Sequence, residues 1–428
     1  LDERFCKLGF LPAEILLPDG VDMTRWSVVA CDQYTSQPDY WARVDRFVGR
    51  HPSTLRMILP ETLLEAPDVK ARIEGIDRTM EAYLGAGALR ALPEGFVYVE
   101  RTQKDGRVRR GLVGMVDLEA YDFTPSSGSL IRATEGTVLS RIPPRLAVRR
   151  GAMLELPHVM VLVDDPEKTV VEPFAQKKAA LEPLYDFELM ENGGHLRGRR
   201  VPAAEAGGVA EALFRLADPD RFARRYDAAG KPVMLFAMGD GNHSLATAKA
   251  CYEEQKRETP PEAWAKLPAR YALVELVNLH DDALTFEPIH RVLFGVEPEA
   301  ALEALFRAEP SAHRGEGAAD AQTIGYCYGK TAGVISVEKP RHTIAAGTLQ
   351  SFLDAYAAET GCGIDYIHGE DVTRALAEKP GNLGFTLPPI RKEELFRTVV
   401  HDGVLPRKTF SMGEAHDKRY YLECRRIR

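Results

Sequence analysis

The chain has 428 residues, 45% hydrophobic and 28% charged, proportions of a folding globular protein rather than a disordered or low-complexity one, in a length that calls for two or three structural units. Its longest clean apolar runs, at 159–163 and 233–238, fall far short of the roughly 18 residues of a membrane-spanning helix. With 55 Lys and Arg against 63 Asp and Glu the net charge is −8, which argues against attraction to duplex DNA or an anionic membrane surface.

In chain order, residues 26–30 (Trp-Ser-Val-Val-Ala) read as a strand entering the polar loop 31–36, where Asp32, Gln33 and Tyr34 are either ligand-orienting groups or a structural turn. Apolar residues at Val69, Ile73, Ile76, Met80 and Leu84 predict a helix over 68–84. Alternating runs at 95–100 and 111–118, joined through Lys104-Asp-Gly106, predict a hairpin and an antiparallel sheet. Short apolar strands are expected at 158–164 and 232–238, the second followed by Gly239-Asp-Gly-Asn-His-Ser244 and a helix over 242–255. Further on, 300–306 and 350–358 have helical spacing, 333–338 reads as a strand and 308–321 as a connection. These alternations predict a mixed α/β fold with antiparallel character, in a main region 1–295 and a C-terminal α/β region 296–428.

The six cysteines, Cys6, Cys31, Cys251, Cys327, Cys362 and Cys424, show no C-x-x-C pair and no zinc spacing, and no charged-then-apolar leader follows Leu1, so a reduced, cytoplasmic protein is expected. No internal repeat is visible.

Four segments carry chemistry. The turn 239–244 joins a buried strand to a helix, and its glycines, Gly239 and Gly241, suit a phosphate held by the helix's unpaired N–H groups; Asn242 or Ser244 serves equally well as an ordinary cap. It is neither a Walker loop nor a dinucleotide fingerprint. Asp240 and His243 add a metal-facing carboxylate and a titratable phosphate contact, or a plain surface turn. Residues 131–150 gather Arg132, Thr134, Glu135, Thr137, Arg141 and Arg145 around Pro143-Pro144. Guanidinium forks bind phosphate and a carboxylate accepts a hydroxyl proton, while a solvated, salt-bridged loop is the alternative. His290 and Arg291 form a further anion contact. The tail Lys418-Arg-Tyr-Tyr421 with Arg425-Arg426 reads as a nucleic-acid motif or, more simply, as an amphipathic edge strand.

Taken in order, the stretches 28–36, 132–145, 239–244 and 288–293 resemble the uncharacterised family called domain of unknown function 1015, as does 403–410. The family's turn carries Asp-Gly-His-His-Arg, whereas here Asn242 replaces the first His, His243 keeps the second and Ser244 replaces the Arg. The family is similar to the ParB and sulfiredoxin group, in which a turn at a helix N-terminus holds nucleotide phosphates and some relatives phosphorylate free serine. The resemblance implies a nucleotide site, Mg2+ with ATP or ADP, and phosphoryl transfer to a small hydroxyl compound. Glu135 is then the expected base, with Asp240 toward magnesium, Thr134 and Thr137 toward substrate, and His243 beside the reacting phosphate. A nucleotide-binding switch that transfers nothing is the competing expectation, and a hydrolase of phosphorylated compounds stays open.

Overall fold

The computed structural model describes residues 2–35, 37–413 and 415–428, so Ser36 of the predicted N-terminal loop lies outside the described residues. The chain forms two compact units. Unit 1 comprises Leu1–Ala133, Thr137–Leu284 and Gly413–Arg428, and unit 2 comprises Thr134–Gly136 and Thr285–Met412.

In unit 1, helices α1 (Pro38–Val48) and α2 (Val69–Gly85) precede the hairpin β1 (Gly95–Thr102) and β2 (Val108–Asp117). Then come β3 (Ile131–Arg132), α3 (Ile142–Gly151), β4 (Met160–Val163), β5 (Glu182–Glu188), β6 (His195–Pro202), α4 (Ala203–Leu216), β7 (Phe236–Asp240), α5 (Asn242–Arg257) and β8 (Tyr271–Asn278). The sheet runs β5-β6-β1-β2-β8-β4-β7-β3. It is antiparallel from β5 to β8, after which β8 pairs β4 and β7 pairs β3 in parallel. Both faces are buried: Phe96 and Tyr98 of β1 pack with α4 and α5, while Val97 and Val99 pack with α2 and the C-terminal Leu422 and Ile427. Side chains alternate across a strand, so one eight-residue run feeds two cores.

Three readings change. Residues 26–30 form no strand; they are buried, extended chain with a single bridge from Val29 to Arg419, because their partner is only the short returning tail. The stretch 131–150 is not simply a salt-bridged loop: Pro143-Pro144 opens α3, at positions where a missing N–H and a fixed φ suit a helix start. The tail is not an exposed basic motif: Tyr420, Tyr421 and Arg419 are buried, and Arg425 donates to Glu155 at 2.8 Å.

In unit 2, β9 (Phe286–Phe294), β10 (Gln322–Tyr328), β11 (Thr331–Val337), α6 (Ala345–Thr360), β12 (Gly363–His368), α7 (Glu370–Ala377) and β13 (Asn382–Thr386) build a sheet with the order β11-β10-β13-β9-β12. Its pairings are antiparallel. The boundary expected at 295 falls just after β9. Within this unit Glu135 bridges Leu405, and the Leu405 N–H donates to the Thr134 carbonyl at 2.7 Å.

Candidate functional site

The turn between β7 and α5 is shaped by two glycines. The pairing of β7 with β4 slips between Met238 and Asp240, so Gly239 is the extra residue of a bulge that bends the strand end. Gly241 has φ +82° and ψ 27°, the left-handed region, and a Cβ there would lie 3.0 Å from Val159 Cγ2 and 3.1 Å from Val159 Cα. Only glycine fits both restraints. Among the described residues the helix that follows has no side-chain cap: Ser244 Oγ instead meets His158 Nε2 at 2.8 Å, and the buried Asn242 Oδ1 atom finds no partner there. The first amides of a 16-residue helix are thereby left open to a ligand, with the positive end of the helix dipole behind them.

Other segments of unit 1 surround this helix start. The Val138 N–H donates to His243 Nε2 at 3.2 Å, which puts the ring proton on Nδ1. Burial first, and then the charges of Arg145 and Arg141, hold the His243 pKa below its ordinary value, with Asp32 opposing. Arg141 immediately precedes α3, is exposed and makes no ion pair among the described residues. Arg145, one turn on, donates to the Arg141 carbonyl at 2.6 Å and is neutralised by Glu61. The Glu61 N–H reaches the Cys31 carbonyl at 2.9 Å, tying the loop at 31–35 to α3. Thr137 Oγ1 is a second buried oxygen without a partner.

In that loop, Asp32 is exposed to solvent, yet protein crowding is the largest influence on its carboxyl. Crowding alone would raise its pKa; His158, the Gln33 amide and Lys418 outweigh it and leave Asp32 below the ordinary carboxylate value. The Gln33 amide donates to Asp32 Oδ1 at 2.9 Å. Tyr34 adopts φ +51° and stacks on Tyr40 of α1 with centroids 4.1 Å apart, so its ring is committed to packing. Two groups come from the returning tail. Lys418 Nζ is 3.6 Å from Asp240 Oδ2, and the Tyr420 ring stands edge-on to His158 at 5.1 Å.

The other candidates are held as follows. Arg132 is buried in unit 1, but its guanidinium is spent on the carbonyls of Ser129 at 2.9 Å and Pro232 at 2.7 Å. Thr134, Glu135, His290 and Arg291 belong to unit 2. There, Glu135 accepts the Lys408 N–H at 3.3 Å. His290 Nδ1 accepts the Leu387 N–H at 3.1 Å, a satisfied core histidine. Arg291 is fully buried, donating to Gln350 at 3.1 Å and to the Lys408 carbonyl at 3.1 Å, with its guanidinium over the Tyr366 ring.

Asp240, expected to face magnesium, is engaged by protein groups on both oxygens. Its Oδ1 accepts the Gly241 N–H at 2.9 Å and its Oδ2 faces the Lys418 ammonium. Among the described residues no group of three or more His, Cys, Asp or Glu is gathered for a metal. Glu61 and His158 complete the site without a signal in the sequence, and Lys418 and Tyr420 come from the tail that the sequence marked only as an aromatic-basic motif, because each is remote from the turn along the chain.

The family model described as a protein of unknown function, DUF1015, matches residues 15–356. No curated protein matches the sequence. Similar solved structures include a free serine kinase variant in complex with ADP, at 11% identity and TM-score 0.37, covering 72% of this chain and 89% of that one. SbnI with a C-terminal truncation from Staphylococcus aureus is 11% identical with a TM-score of 0.36, covering 70% and 82%. A conserved hypothetical protein from Pyrococcus furiosus, also at 11%, has a TM-score of 0.34 and covers 70% and 90%. Likeness at this level carries no argument about activity.

Proposed function

For a chain that belongs to the DUF1015 family, we propose that unit 1 binds the phosphates of a nucleotide, ATP or ADP, at the N-terminus of α5 and transfers a phosphoryl group to the hydroxyl of a small molecule. The observation that carries this reading is the uncapped helix start behind Gly241, where His243 feels both Asp32 and the guanidinium of Arg141, which makes no ion pair among the described residues. Open amides and a guanidinium fork are the donors that phosphoryl oxygens take. Free serine is the acceptor that the family resemblance implies.

In this reading the α5 amides and Arg141 stabilise charge on the transferring group, and the neutral His243 donates from Nδ1. The acceptor oxygen forms the new P–O bond as the bond to the nucleotide's terminal bridging oxygen breaks, and the acceptor proton passes to Asp32. We take Asp32 as first choice of base, ahead of Glu135, because its charge acts on His243 at the anion turn.

Isothermal titration of the full chain with ADP, ATP and pyrophosphate tests binding. Mass spectrometry of mixtures with serine and other hydroxy compounds tests transfer. Absence of binding refutes the site; binding without any phosphorylated product favours the nucleotide-dependent switch over the kinase.

A further inference from the structure

We infer that Lys418 is the cation that meets the nucleotide's terminal phosphate, standing where a divalent metal would otherwise balance Asp32 and Asp240. The inference rests on the phosphate-site reading and adds the group that neutralises the site. Lys418 is delivered by Gly413–Arg428, a segment of unit 1 beyond the family-matched residues 15–356.

Lys418 Nζ lies 3.6 Å from Asp240 Oδ2, with both side chains about three-quarters buried, and its charge helps to hold the Asp32 carboxyl low. The ammonium therefore faces the Asp240 carboxylate at the turn before α5, and its charge also acts on Asp32. Its main chain is fixed independently of the charge: the Ala30 N–H donates to the Lys418 carbonyl at 2.8 Å, and Arg419 bridges Val29. The backbone holds position while the four-carbon stem turns, which suits an ammonium acting as a movable point charge for phosphate. When phosphate arrives, the ammonium has a stronger partner than a carboxylate already bonded to the Gly241 N–H, and Asp32 is left as a proton acceptor.

The test titrates ADP into the wild-type chain, Lys418→Met, Lys418→Arg and Asp240→Asn, each with and without magnesium chloride. Wild-type affinity is expected to change less than about threefold on adding magnesium. Lys418→Met is expected to weaken binding about 10- to 100-fold, the range for a lost charged hydrogen bond, while Lys418→Arg keeps most of it. Magnesium is expected to restore part of the loss in Lys418→Met. Asp240→Asn preserves the acceptor for the Gly241 N–H and removes the negative charge facing the ammonium, so it is expected to bind ADP more tightly without metal. Tryptophan-monitored melting verifies that each variant is folded. Wild-type binding that requires magnesium, or Lys418→Met binding at wild-type strength, overturns the inference while leaving the phosphate site standing. Loss of magnesium-supported binding in Asp240→Asn overturns it too, by restoring the metal-ligand role. If the wild type binds no nucleotide with or without magnesium, the phosphate-site reading falls as well.

Discussion

Replacing Gly241 with alanine tests the turn on which the site depends. Two separate penalties apply. A residue with a Cβ at φ +82° is held in the left-handed region, at about 1 to 2 kcal/mol for an L-amino acid. The new Cβ then meets Val159 Cγ2 at 3.0 Å and Val159 Cα at 3.1 Å. The methyl can turn away, but the Cα belongs to the chain entering β4, so relief requires the β4–β7 pairing to give. Together the penalties give a loss of about 2 to 3 kcal/mol, within the range of an overpacking substitution. Gly208→Ala is the matched control: it is exposed inside α4 with open space around it, and is expected to stabilise by about 0.5 to 1 kcal/mol through helix propensity and chain entropy. All three tryptophans, Trp26, Trp41 and Trp264, lie in unit 1, so urea unfolding followed by their fluorescence reports this unit. The expected result is a lower midpoint for Gly241→Ala and a higher one for Gly208→Ala at unchanged slope. Equal midpoints for wild type and Gly241→Ala would refute the account of the turn, and with it the argument that the amides of α5 are held in place by a glycine.

Arg141→Ala is expected to weaken ADP binding about tenfold or more in calorimetry, whereas Arg132→Ala is expected to leave affinity unchanged and lower stability, since it strands the carbonyls of Ser129 and Pro232. Asp32→Asn is expected to reduce phosphoryl transfer about 100-fold or more with binding retained, and Glu135→Gln, assayed beside it, is expected to turn over faster than Asp32→Asn; the reverse order returns the base role to Glu135. The His243 pKa is lowered in the fold, while the unfolded imidazole takes its proton near the ordinary value of about 6.5. Below that pH the unfolded chain binds more protons, so this contribution to stability is complete above about pH 7 and falls as pH drops toward the folded pKa. Urea midpoints of wild type and His243→Gln are expected to converge as pH is lowered from 7.5 to 5.5, and a constant difference would refute the burial of a neutral ring.

The sequence spoke clearly wherever the signal was local. The apolar spacing from Val69 to Leu84, the Asp-Gly turn between β1 and β2, and the strand-glycine-helix passage at 236–257 all depend on neighbours within a few residues, and all appear in the fold. Pro143-Pro144 was misleading because proline breaks a helix interior but suits its first positions, and nothing nearby in sequence marked which applied. Arg132 and Arg141 look alike as residues in one basic stretch. One lies in a buried strand with two carbonyls to satisfy and the other at an exposed helix entrance, a distinction that only tertiary packing creates. Likewise His290 has the composition of a site residue and the environment of a core residue.

The balance of charge follows from the same packing. A site built only from cations would bind phosphate and hold it, and phosphoryl transfer also needs a carboxylate that stays ionised beside the anion. Asp32 meets that need because its own crowding, which favours the protonated acid, is outweighed by His158, Gln33 and Lys418. The cations near α5 are likewise not equivalent. Arg145 is already matched by Glu61 and shapes the wall, Lys418 is shared with carboxylates, and Arg141 alone of the three has no carboxylate partner among the described residues. A phosphate entering from solvent therefore meets Arg141 first, where no ion pair has to be broken. In the proposed reading the order of contact follows: Arg141 captures, the α5 amides seat the group, and Lys418 meets it beside Asp240.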